Sequence, residues 1–222
     1  MTAAMLVLGG CGASTPTTTT PASNINVSQG AGQTSVFRSR VDSTTNKTVL
    51  STTTVTANAL FDKDGKILNV QFDSLEISPE PEEGAINPAV FPGWPSATLT
   101  NDVVSKDVTN WKTKRDRGDA AYGMNWSVQI NFYQEFFKGK TVAEIDQWFA
   151  KSASDTNGKI LTSKVTSDPD KAKYAKLTDP EKKALVDVTS GASISLKDPH
   201  GDFIGALDKA YKNKVDVTLP LK

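Results

Sequence analysis

Two alternating runs around a short turn sequence constrain this chain most. In the first, Val55, Ala57, Ala59 and Phe61 alternate with Thr54, Thr56, Asn58 and Leu60; in the second, after Asp62-Lys63-Asp64-Gly65-Lys66, Leu68, Val70 and Phe72 share a face. A period of two puts one set of side chains on a core and the other in solvent, so the pair is expected to form a β-hairpin. The turn also begins like a calcium loop. An EF-hand needs Gly at its sixth position and Glu at its twelfth. Counting from Asp62, those positions hold Ile67 and Asp73, so a plain turn is expected.

Downstream the period becomes helical. Trp126, Ile130, Tyr133 and Phe137 fall at i, i+4, i+7 and i+11, the stripe of a helix packed on a core, and Gly139 follows as its terminator. Thr141 with Glu144 reads as a capping box ahead of Val142, Ile145, Trp148 and Phe149. A third helix is expected to start at Thr178 or Asp179, with Pro180 in its first turn, and to run towards Val186. A fourth carries Phe203, Ile204, Leu207 and Tyr211, and Val215 to Leu219 reads as a closing strand. Residues 79–94, rich in Pro, Gly and Glu, are read as a connecting loop. Strands, then helices, then a strand imply an α+β fold: an antiparallel β-sheet packed with several short helices. With 222 residues and 37% hydrophobic content, the chain suits one principal core.

Charge and residue scarcity narrow the function. Lys+Arg and Asp+Glu are equal at 25 each, so no electrostatic footprint for nucleic acid is present. His200 is the sole histidine and Cys11 the sole cysteine, which excludes a disulfide framework or a zinc site with several N or S ligands within one chain.

That cysteine closes Met5-Leu6-Val7-Leu8-Gly9-Gly10-Cys11, which resembles a lipobox: a branched apolar residue three before the cysteine and small residues between. The resemblance implies diacylglyceryl transfer to the thiol and cleavage before Cys11. Two acyl chains suffice for stable membrane anchoring, whereas one is marginal. No Lys or Arg precedes Arg38, so residues 1–10 are expected to be a shortened lipoprotein signal peptide. The alternative is a short buried apolar segment with an inert cysteine. Residues 11–33, dominated by Ser, Thr, Pro, Asn, Gln and Gly, are expected to be a lipidated flexible tether, leaving 34–222 as the folded domain.

The chemistry-bearing stretch is Asp187-Val188-Thr189-Ser190-Gly191-Ala192-Ser193-Ile194-Ser195. It resembles the flavinylation motif of FMN-binding domains, an Asp followed by Ser-Gly-Ala-Thr or Ser-Gly-Ala-Ser, whose final hydroxyl receives FMN through a phosphoester. Leu196 to Ile204, Lys114 to Asp119 and Tyr122-Gly123-Met124 are similar to the Gram-positive lipoprotein branch used in flavin-based extracellular electron transfer. The acceptor here is Ser193 where Thr is commoner, and one motif is present where some relatives carry two domains.

The resemblance implies covalent FMN on Ser193, with Asp187, Ser190, Gly191 and Ala192 as the surrounding motif. It also implies modification by a magnesium-using FAD:protein FMN transferase, with Asp187 the residue that enzyme reads. The expected role is a redox carrier on the outer face of the cytoplasmic membrane, not an enzyme with its own substrate pocket. It would take electrons from a membrane quinol-linked donor and pass them to ferric iron, free flavin or a partner reductase.

The residues themselves suit this. Gly191-Ala192 removes bulk before Ser193. Thr189, Ser190 and Ser195 are available as phosphate donors, and the Ser-Gly-Ala turn is a candidate anion nest. The aromatic stripe is expected to serve the core rather than a flavin ring, and His200 a turn rather than flavin tuning. A solute-binding lipoprotein with a noncovalent ligand and a structural or adhesive surface lipoprotein remain the alternatives.

Overall fold

A computed structural model of the chain describes residues 24–41, 46, 48–77, 113–116, 125–197 and 201–220. Cys11 and the lipobox, the loop at 79–94, Tyr122-Gly123-Met124 and His200 lie outside the described residues.

The hairpin forms as expected from β2 (Thr48–Phe61) and β3 (Ile67–Ile77). Its turn is held locally: Gly65 N–H donates to the Asp62 carbonyl at 3.0 Å, and the Asp62 carboxylate accepts from the N–H of Asp64 and of Lys66. Gly65 supplies the positive φ of 77° that this turn requires. Val55, Ala57, Ala59, Phe61, Val70 and Phe72 are buried. Leu68 departs from expectation. The register shifts between Leu60 and Phe61, pairing Phe61 with Ile67, so Ile67 turns inward at 1% exposure and Leu68 outward at 43%.

The larger correction concerns residues 24–33, expected to be tether. They form the first half of β1 (Asn24–Val41), which pairs antiparallel with β2 and, through 24–29, with β4 (Val215–Pro220). The sheet order is β3-β2-β1-β4. The apolar alternation that normally betrays a strand is missing here because, Val27 apart, the buried positions are Ser28, Gly30, Gly32 and Thr34. A helix backbone lies directly on the two glycines. A Cβ at Gly30 would stand 1.9 Å from the Ala210 carbonyl oxygen, and one at Gly32 2.0 Å from that of Ala206.

That helix is α5 (Phe203–Lys212). The other helices are α1 (Trp126–Phe137), α2 (Val142–Ser152), α3 (Asp168–Ala175) and α4 (Asp179–Gly191). Together they make an α+β fold. The α1 stripe of Trp126, Ile130, Tyr133 and Phe137 is buried, with Phe72, Phe149 and Phe203 in edge-on or tilted contact with its rings. Capping boxes start both α2 (Thr141, Glu144) and α4 (Thr178, Glu181). α3 begins at N-cap Ser167 with Pro169 in its first turn, and its polar sequence gave no apolar period to find it by.

Candidate functional site

Helix α4 does not stop near Val186 but continues through Gly191, so most of the motif is helical rather than a loop between helices. Being helical disposes of several hydroxyls. Thr189 Oγ1 donates to the Leu185 carbonyl at 2.9 Å, and Ser190 Oγ to the Val186 carbonyl at 2.9 Å, the back-bonding usual for such side chains inside a helix. Ser195 is 7% exposed and donates to the carbonyls of Asn157 and Lys197. In this structure each of the three hydroxyls is engaged by backbone.

Gly191 and Ala192 bring the chain out of the helix. A Cβ on Gly191 would sit 2.3 Å from the Phe132 ring, so the glycine is the floor for that aromatic side chain. Ala192 adopts extended geometry, its N–H donates to the Val188 carbonyl, and its methyl is wholly buried. A nest made by the Ser-Gly-Ala amides does not form, because these N–H groups lie within the helix or at its cap. Asp187 stands exposed on α4.

Ser193 differs from its neighbours. It is exposed, held between buried Ala192 and buried Leu196. Its N–H donates to Gln129 Oε1 at 2.8 Å, its Oγ–H to the same oxygen at 3.2 Å, and Ile194 N–H joins them at 3.1 Å. Gln129 lies on α1 and is 2% exposed. Sequence reasoning passed over it, although a glutamine three residues after Trp126 and four before Tyr133 falls on the buried stripe, where a polar residue needs a partner.

Ser193 also lines a cleft of about 560 Å³ between the C-terminal end of α4 and the segment from Ser154 to Ser167. Lys159 and Lys164 contribute cations to its wall, Ile160 and Val165 apolar surface, and Thr189 a neighbouring polar edge. The segment is pinned against Ser195 and Lys197. Gly158, at φ 63°, approaches so closely that a Cβ would meet Lys197 Cβ at 2.4 Å, and Ser154 N–H donates to the Lys159 carbonyl at 2.8 Å.

The α4 carbonyl end carries partial negative charge, which by itself disfavours an anion at Ser193; the two lysines oppose it. Among neighbouring ionisable groups, burial pushes the Tyr133 hydroxyl well above its ordinary value. At the far end of α4, Glu181 is lowered to about 2, first by its hydrogen bond from Lys151 and then by those from the Thr178 N–H and hydroxyl.

No protein-family profile matches the chain, and no solved structure matches it. A curated relative named chlorophenol reductase, from Desulfitobacterium hafniense, is 44% identical over 204 residues; the match covers 85% of this chain and 58% of that protein.

Proposed function

We propose that the chain is a membrane-anchored, extracytoplasmic electron carrier bearing FMN as a phosphoester on Ser193. The observation that carries this reading is the contrast among the motif's hydroxyls. Thr189, Ser190 and Ser195 donate to backbone carbonyls, whereas Ser193 donates to a side-chain amide and is the one of the four that is both exposed and lines the cleft.

The residues present fit the group. The cleft volume of about 560 Å³ falls within the range of about 300 to 1,000 Å³ usual for small-molecule sites. Lys159 and Lys164 offer charge to a phosphate, and Ile160 and Val165 offer apolar surface to a ring. When bound, the isoalloxazine supplies one- and two-electron transfer. This chain's part is to present Ser193 on a rigid helix end, to fix the covalent link beside a walled cleft, and to leave Asp187 exposed for a transferase to read.

Anchoring through Cys11 belongs to the same reading, which puts the domain on the outer face of the cytoplasmic membrane. Electrons would come from a membrane quinol-linked donor and leave to ferric iron, free flavin or a partner reductase. The relative named chlorophenol reductase carries a redox name, and electron delivery is the portion of such chemistry assigned here; the chain spans 58% of that protein's length.

The test uses colour. Protein co-produced with an FAD:protein FMN transferase is precipitated with acid, washed and redissolved in denaturant. The wild type retains flavin absorbance and Ser193→Ala is colourless; a colourless wild type, or colour that survives in Ser193→Ala, overturns the reading.

A further inference from the structure

Gln129 is a nearly wholly buried amide whose single oxygen collects three donors from two successive residues: Ser193 N–H, Ser193 Oγ–H and Ile194 N–H. Backbone N–H groups only donate, so their convergence fixes which end of the amide faces Ser193. α1 holds that amide rigidly, because Trp126, Ile130 and Tyr133 on either side of it are core residues.

We propose that Gln129 is the positioning residue for flavin attachment, holding the 193–194 backbone and drawing the Ser193 hydroxyl hydrogen towards itself so that the oxygen lone pairs are left to the cleft. This rests on Ser193 being the flavinylated residue. In the transfer, Ser193 Oγ forms a bond to the FMN phosphorus of FAD, the phosphorus–oxygen bond to the AMP portion breaks, and AMP departs with the electron pair. The Oγ proton passes to a base on the transferase. An amide carbonyl is too weak a base to take it, so Gln129 orients and does not deprotonate. Esterified Oγ has no hydrogen to donate, yet both backbone N–H groups keep Gln129 as acceptor, so the support is the same before and after reaction.

Orientation acts on the reacting atom, not on docking of the transferase against the exposed end of α4. Gln129→Met, which keeps length and removes the acceptor, therefore lowers kcat for flavinylation by about tenfold, the worth of roughly one hydrogen bond. KM for the acceptor protein stays unchanged. The assay uses purified transferase, magnesium and FAD, with wild-type and variant full-length protein as acceptors. A variant that folds and is modified at the wild-type kcat, or whose loss lies in KM, overturns the proposal. Should Gln129→Met fail to fold, amide hydrogen exchange in the wild type decides. Slowed exchange at both Ser193 and Ile194 upholds the contact, and unprotected exchange at either removes it. A wild type that the transferase never modifies is a different result, since it ends the reading of Ser193 itself and this inference with it.

Discussion

Ser193 and Ser195 stand two residues apart, carry the same hydroxyl and serve opposite ends. Ser195 is buried and ties the segment to the Asn157 and Lys197 carbonyls, whereas Ser193 is exposed and faces the cleft. Ser195→Ala should thus still accept flavin but lose about 1 kcal/mol of stability, the usual net worth of such a bond, read as a lower urea midpoint. Ser193→Thr should keep the attachment, because an exposed position has room for the extra methyl; loss of flavin in that variant would show a tighter site.

Glu181 gives a pH signature. Its acidity is raised by Lys151 and the Thr178 cap, to a folded value of about 2 from an ordinary 4.5. A depressed carboxyl value stabilises fully above the unfolded pKa and loses that contribution as pH falls through the folded one. The stability gap between wild type and Glu181→Gln should therefore be present at pH 6 and shrink from pH 4.5 towards pH 2. A gap that holds constant to pH 2 contradicts the assignment.

At the scale of elements, the chain's legible parts are those with an apolar period. The hairpin strands, α1, α2 and α5 announce themselves because their buried side chains are large and regularly spaced. β1 is silent for a physical reason: its buried face is mostly small or polar, and at Gly30 and Gly32 it gives room to the close approach of α5. Its buried polar groups are answered individually, Ser28 by Asp216 and Thr34 by the Asp202 carbonyl. α4 is legible at its capped start but runs past Val186 to Gly191, where the Thr189 and Ser190 hydroxyls turn back on the helix carbonyls. The proposed acceptor serine is legible from the motif. Its support is not, because Gln129 lies 64 residues away on another helix. Gly30→Ala should push α5 from the sheet at a cost of about 1 to 3 kcal/mol, measured by thermal or urea unfolding; an unchanged midpoint would mean the helix does not rest there.

For the whole molecule, the strand's early start shortens the link to the proposed anchor. Residues 12–23 are all that separate Cys11 from β1, so the start of β1 at Asn24 stands no more than about 45 Å from the proposed lipidation site even at full extension. On the proposed reading, a carrier so tethered would stay close to its donor membrane. Cys11→Ser, produced in a secreting host, should move the protein from the membrane fraction to the soluble one without altering flavin attachment.

All of this depends on one bond. Proteolytic mapping by tandem mass spectrometry of protein co-produced with the transferase locates it directly: the account predicts an FMN phosphoester on Ser193, with Thr189, Ser190 and Ser195 unmodified, and an unmodified Ser193 peptide, or FMN on one of those three, would contradict it.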